Sequence, residues 1–389
     1  MAGKTSAERE ALDAQNRRIM AVFTRAGFDF IAPDIVQPAD MFLESSGESI
    51  RSRTYVFTDP AGAELCLRPD LTVPACRYHL SHAKDVGTEA RYCYSGPAFR
   101  FSAQAQPSLN PTEFDQAGIE WFSAATPMAA EAEVLHLALK AVEAAGLKKY
   151  RVRNGDLGLF RALLHSIAMP ERWRSRLLHQ YWRPKAFRDL LDLLTGEREK
   201  SRSSISVYVD AIAGLDERDA LAYVEKHLLS LAVPLTGGRR LEEIAGRLLE
   251  KVQDRSEKRL SPETRRRIDD YLAIEAPLVR TAPLLEPLAQ NSPGLEAALD
   301  RFSLRLRELK RRRIDLETAI FSASFGRNLE YYTGFVFEVE ADIAGTTMQV
   351  AGGGRYDSLM ADIGSPVAIP AVGCAIHTER LLAAVRRQA

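Results

Sequence analysis

The runs with strand character in this 389-residue chain fall into two groups, one on each side of a long helical stretch, and that grouping limits the folds open to it. Before the stretch, residues 54–58 and 64–67 alternate around an Asp59-Pro60-Ala61-Gly62 turn signal, which reads as a hairpin. Longer runs follow at 89–101 and 112–122, joined by a Gln-, Ser- and Pro-rich connection too long for a tight turn. After the stretch, strand character resumes at 316–325, 331–340, 347–350 and 371–376. Between about 157 and 310 the texture is helical, with Arg-rich polar faces and breakers at Pro184, Pro234, Gly237-Gly238 and Pro262. Strands drawn from both sides of a helical block predict an α+β fold with a mainly antiparallel sheet flanked by helices. Residues 1–156 and 311–389 would form one discontinuous domain, and 157–310 a helical insertion. Helices are expected at the start, where Thr5 and Glu8 form a capping-box pattern, and at 127–145 and 378–387.

Basic and acidic residues balance at 52 each, so the basic surplus expected of a chain that grips phosphodiester backbone is absent. The Arg265-Arg266-Arg267 and Arg311-Arg312-Arg313 runs read as solvated helix faces, with nucleic-acid contact the lesser alternative. Cys66, Cys76, Cys93 and Cys374 lack CxxC spacing, which argues against a zinc site or disulfide framework and fits a reducing cytoplasm. The first twenty residues have no apolar core of a secretory signal, and no apolar run approaches the ~20 residues that cross a bilayer.

Within 114–122 the sequence is Phe-Asp-Gln-Ala-Gly-Ile-Glu-Trp-Phe. Strand alternation puts Gln116, Gly118 and Glu120 on one face: an amide, a gap and a carboxylate. A carboxylate on so apolar a strand is costly to bury without a cation or N–H donors, so the face is either a half-exposed sheet surface or a pocket for an amine-bearing ligand. In Arg68-Pro69-Asp70-Leu71-Thr72-Val73-Pro74, Asp70 and Thr72 stand where a strand turns into a helix; they can cap it or hold an ammonium group. Arg100, ending a strand, offers a guanidinium fork to a carboxylate or phosphate, or makes a structural ion pair. Arg327 to Gly334 packs Arg327, Glu330, Tyr331 and Tyr332 into eight residues before a strand; the paired tyrosines are either core and rim or, beside Arg327 and Gly334, part of a ligand cage. Gly352-Gly353-Gly354-Arg355-Tyr356-Asp357 is either a phosphate-cradling loop or a place where backbones approach closely, and the second explains the glycines more cheaply.

Taken in order, Leu67 to Thr72, Ser95 to Arg100, Phe114 to Glu120, Leu329 to Gly334, Gly353 to Asp357 and Glu379-Arg380-Leu381 closely resemble the motifs of the histidyl-tRNA synthetase catalytic domain. The resemblance spans nearly the whole chain except the helical middle. It implies a dimeric class II synthetase module. It further implies that Asp70, Thr72 and Gln116 hold the amino end of histidine, that Arg327 holds its carboxylate, and that Glu120, Tyr332, Tyr331 and Tyr356 surround the imidazole, with Arg100 in the same pocket. Three departures stand out. The segment after Arg100, Phe101-Ser102-Ala103-Gln104-Ala105-Gln106-Pro107, lacks the glutamate and basic loop that grip ATP and tRNA in that family. His377 occupies a small-residue position beside the adenine site, although Arg380 remains. The sequence stops at Ala389, where a synthetase continues into an anticodon-binding domain.

With an amino-acid pocket retained and these features lost, the chain resembles the regulatory subunits of ATP phosphoribosyltransferase. That resemblance implies a cytoplasmic, non-catalytic subunit without cofactor or metal. It would partner a short-form catalytic subunit, as dimers within a hetero-octamer, for the first step of histidine biosynthesis, and carry feedback by L-histidine; it would bind neither tRNA nor membrane. The competing expectation is an enzyme, a trimmed histidyl-tRNA synthetase or another histidine-activating paralogue.

Overall fold

The computed structural model describes residues 3–45, 50, 52–101, 111–197, 204–230, 241–326 and 331–388. It divides into two compact units, residues 1–166 with 269–389, and residues 167–268. The chain opens with α1 (Ser6–Arg25), and the expected capping box is present: Glu8 N–H donates to Thr5 Oγ1 at 3.3 Å and Thr5 N–H to Glu8 Oε2 at 2.8 Å. Next come β1 (Asp29–Phe30), β2 (Val36–Pro38), α2 (Asp40–Ser45) and the hairpin β3 (Tyr55–Thr58) and β4 (Glu64–Leu67). Asp59 Oδ1 fastens that hairpin turn by accepting from Ala61 and Ala63 N–H at 2.9 and 2.8 Å. Then follow α3 (Thr72–His82), β5 (Ala90–Phe99), β6 (Glu113–Phe122), α4 (Pro127–Ala144), β7 (Arg151–Asp156) and α5 (Leu157–His165).

Helices α6 (Glu171–Gln180), α7 (Pro184–Thr195), α8 (Ser204–Ala211), α9 (Glu217–Ser230), α10 (Leu241–Ser256) and α11 (Pro262–Leu272) come next. The chain then resumes the sheet-bearing unit with β8 (Glu275–Pro277), α12 (Leu278–Ala289), α13 (Pro293–Arg311), β9 (Ile320–Ser322), β10 (Phe335–Ile343), β11 (Thr346–Arg355), α14 (Leu359–Asp362), β12 (Ala371–His377) and α15 (Thr378–Gln388).

Among the described residues nine strands form one sheet, in the order β1-β5-β6-β12-β11-β10-β7-β9-β8. Every neighbouring pair is antiparallel except β1 with β5 and β7 with β9, so the α+β class and the mainly antiparallel sheet are as the sequence predicts. A separate three-stranded sheet, β2-β4-β3, adds β2 to the expected hairpin. Helix α4 lies against β11 and β12 and packs on α1 and α13. It buries Val134, Leu135, Leu137 and Val142, each worth about 1.5–3 kcal/mol for a fully buried side chain.

The helical block is shorter than the expected 157–310. Helices α5, α12 and α13 belong to the sheet-bearing unit, because Arg305 on α13 is buried against Glu131 on α4 and Asp156 at the start of α5. The glycines 352–354 are not a loop but the end of β11. A Cβ on Gly353 would come within 2.1 Å of the Gly373 carbonyl, and one on Gly354 within 2.4 Å of the Phe335 carbonyl. The strand expected over 316–325 shrinks to β9, since Asp315 accepts from Glu317 N–H and Thr318 Oγ1 and turns the chain before it. In the arginine runs, Arg265 pairs with Asp192 and Glu197, and Arg312 with Glu133 and Glu308.

The second unit packs Trp173, Leu177, Phe187, Leu191, Leu194 and Val224 into its core. Its buried Asp254 accepts from Trp173 Nε1, Arg172 Nε and Arg176 Nη1. Among the described residues no helix is long and apolar enough to cross a membrane, and no cluster of three His, Cys, Asp or Glu could hold a metal ion.

Candidate functional site

The site grows from the middle of β6. Register sets Glu120 opposite Tyr92 of β5 and Gly373 of β12, and Gly118 opposite Tyr94 and Ala375. The two glycines leave space that side chains from neighbouring strands fill. A Cβ at Gly118 would lie 2.6 Å from Tyr94 Oη, and one at Gly373 would lie 1.6 Å from Glu120 Oε2. The Tyr94 ring and the Glu120 carboxylate therefore lie across a floor without side chains.

Glu120 is 1% exposed. Tyr94 Oη donates to its Oε1 at 2.8 Å, and Tyr356 Oη donates to its Oε2. Burial pushes the carboxyl up from 4.5 to about 7, against the hydrogen bonds of Tyr356, Tyr94 and Thr72. Burial also raises the Tyr94 and Tyr356 phenols well above their ordinary value, and the neighbouring Glu120 charge adds to it, so both remain donors. Tyr331 and Tyr332 complete an aromatic wall: their ring centroids are 4.8 Å apart and lie 5.6 and 6.4 Å from that of Tyr356.

The start of α3 supplies the second part. Asp70 is 2% exposed, and its Oδ1 accepts from Val73 N–H at 3.3 Å, so the capping role is real. Its Oδ2 is buried with no hydrogen-bond partner among the described residues. Burial raises the Asp70 carboxyl, opposed by Arg100, Arg68 and backbone N–H groups. Gln116 fastens this corner to β6 by accepting from Leu71 N–H at 3.0 Å. Thr72, in the first turn, lies beside Tyr94 and Glu120, and its hydroxyl helps hold the Glu120 carboxyl down against burial. Arg100 Nε donates to the Pro69 carbonyl at 2.7 Å, and its guanidinium lies 5.2 Å from the Phe114 ring centroid. Burial pulls Arg100 down to about 10; Asp70 opposes this, while Arg53 and Arg380 repel it. The His377 ring is 5.1 Å from the same Phe114 ring.

The structure thus brings Asp70, Thr72, Arg100, Gln116, Glu120, Tyr331, Tyr332 and Tyr356 into one connected site. Arg327 and most of the 102–111 connection lie outside the described residues. Sequence reasoning passed over Tyr94, which donates to Glu120 Oε1, and Gly373. The signal for Tyr94 was its strand alternation with Tyr92, which becomes legible once β5 and β6 are in register. Chemically the site holds one buried carboxylate already served by two phenols and a second with an oxygen that meets no donor among the described residues. It suits a ligand with an ammonium group at one end and a polar N–H ring at the other.

The sequence matches the histidyl-tRNA synthetase family over residues 5–263 and 241–381. A relative from Rhizobium johnstonii is 33% identical over 376 residues, which cover 93% of this chain and 95% of that protein. One from Brucella ovis is 35% identical over 351 residues, 90% of this chain and 91% of its own. Both are described as ATP phosphoribosyltransferase regulatory subunits. Among solved structures, one from Bacillus halodurans described as an ATP phosphoribosyltransferase regulatory subunit/histidyl-tRNA synthetase superposes with a TM-score of 0.69 at 20% identity, covering 99% of this chain and 82% of that one. A histidyl-tRNA synthetase from a Nostoc species gives 0.63 at 16% identity, covering 100% and 76%. These likenesses establish the class II synthetase fold. Together with 33–35% identity along nine-tenths of the sequence, they make this chain a member of the ATP phosphoribosyltransferase regulatory subunit family.

Proposed function

We propose that this chain performs no chemistry of its own, that a short-form ATP phosphoribosyltransferase catalytic subunit requires it for the first step of histidine biosynthesis, and that its buried site takes L-histidine as the feedback effector. The observation that carries the ligand is the pair of buried carboxylates. Glu120 is poised between two phenols to accept an imidazole N–H, and Asp70 Oδ2 meets no donor among the described residues, a place that an α-ammonium group would fill. A pocket built this way rejects analogues without ring nitrogens by ~10⁴ or more, because its own groups would stay unpaired. The family name supports the catalytic partner. Cytoplasmic dimers of this chain within a hetero-octamer, independent of tRNA, complete the proposal.

Histidine shifts the complex toward a less active arrangement by no more than its difference in affinity for the two arrangements, commonly ~1 to 3 kcal/mol per site. The test is phosphoribosyl-ATP formation by a short-form catalytic subunit, with and without this chain, across a histidine titration. Activation by the chain and suppression by histidine are expected, with Glu120→Ala blunting suppression while assembly is kept. Histidine-dependent exchange of pyrophosphate into ATP by the isolated chain would instead favour a histidine-activating enzyme.

A further inference from the structure

Tyr331 and Tyr332 lead into a segment whose backbone is fastened on two sides. Thr333 N–H donates to the Arg355 carbonyl at 2.8 Å, and Thr333 Oγ1 accepts from Asp357 N–H at 3.0 Å. On the other side Leu157 N–H donates to the Gly334 carbonyl at 3.0 Å. Side chains, three of them buried, join these two anchor points. Arg355 donates from Nε to Asp357 Oδ2 at 2.7 Å and from Nη1 to Glu131 Oε1 at 3.3 Å. The other oxygen of Glu131 accepts from Arg305 Nη1 at 2.7 Å, and Arg305 Nη2 donates to Asp156 Oδ2. Asp156 also caps α5, accepting on Oδ1 from Gly158 and Leu159 N–H. The path Thr333, Arg355, Glu131, Arg305, Asp156, Leu157, Gly334 therefore closes on itself, and the Arg305 guanidinium stands 4.7 Å from the ring of Phe335, the next residue along the chain.

Glu131, Arg305 and Asp156 are 0%, 3% and 6% exposed. A buried ionic triad is often no more stabilising than apolar residues of equal volume, so fold stability is a weak reason for it to be there. What a closed ring of fixed ties supplies is a single geometry for the segment it encircles. We propose that Glu131 is a positioning residue for the effector pocket. Through Arg355 and Arg305 it sets the tyrosine wall against Tyr356 and Glu120, and so sets the pocket's preference for histidine over ring-methylated histidine. This rests on the reading of the pocket as a histidine site.

Calorimetric titration of the full chain with L-histidine and with its two ring-N-methyl analogues, alongside melting temperature, tests it. The triple variant Glu131→Leu, Arg305→Met, Asp156→Asn removes the three buried charges together and keeps an amide oxygen to cap α5. Glu131→Gln alone removes only the charge at the centre of the ring. The expected result is a folded protein whose preference for histidine over the methylated analogues falls by about tenfold, the size of a coupling of roughly 1.4 kcal/mol. A folded variant with unaltered preference overturns the proposal. Failure of both variants to fold also overturns it, by assigning the ring to stability. Wild-type protein that binds no histidine refutes the underlying reading instead.

Discussion

At Glu120 burial and hydrogen bonding pull in opposite directions, and burial wins, moving the carboxyl from 4.5 to about 7. An acid whose folded pKa exceeds its unfolded one binds more protons when folded. Its contribution is therefore full below pH 4.5 and is lost as pH rises through about 7. Urea unfolding of the ligand-free chain between pH 4 and 8 should show this decline, and Glu120→Gln should flatten it; an unchanged slope would place the titration elsewhere. Histidine bound against the ionised carboxylate should recover the loss above pH 7. Gly373 is the steric counterpart: its Cβ would meet Glu120 Oε2 at 1.6 Å and the Ile119 carbonyl at 2.7 Å. Gly373→Ala should cost about 1–3 kcal/mol by overpacking and displace the carboxylate, abolishing inhibition by histidine. Chemical denaturation and inhibition assays read the two effects separately.

Among the elements, the second unit offers a clean test, because Asp254 gathers donors from Trp173, Arg172 and Arg176. Asp254→Ala should destabilise the helices of residues 167–268 by about 1–3 kcal/mol, the cost of leaving buried donors unpaired. Hydrogen exchange resolved by segment would report it, with histidine affinity unchanged. The elements legible in the sequence were those with strong periodicity or local turn chemistry: α1 with its capping box, the β3–β4 hairpin, β5, β6, α4 and β12. Strand β7 was missed because Arg-Val-Arg-Asn-Gly-Asp carries one large apolar residue and an Asn-Gly pair that reads as a turn. Tyr94 was missed because the long connection after β5 leaves the β5–β6 register open, and register decides which residue faces Gly118. Glu131 and Arg305, 174 residues apart, look like ordinary polar positions on two helices until tertiary packing buries both.

For the molecule as a whole, histidine acting on the native state alone should add about 2.7 kcal/mol at a hundredfold excess over its Kd. Thermal scans with rising histidine should shift the unfolding of the sheet-bearing unit, and an unmoved transition would count against the pocket. The sheet also has a consequence for synthesis. Strand β12 sits between β6 and β11 in space, yet of these nine strands it is made last. On a ribosome adding roughly 5–20 residues per second, β6 waits some 10–50 seconds for the partner that covers its edge. Through that interval the strand bearing Glu120 is an open edge that invites pairing with other chains. A chain cut short before β12 would thus be an aggregation-prone product rather than a weaker regulator.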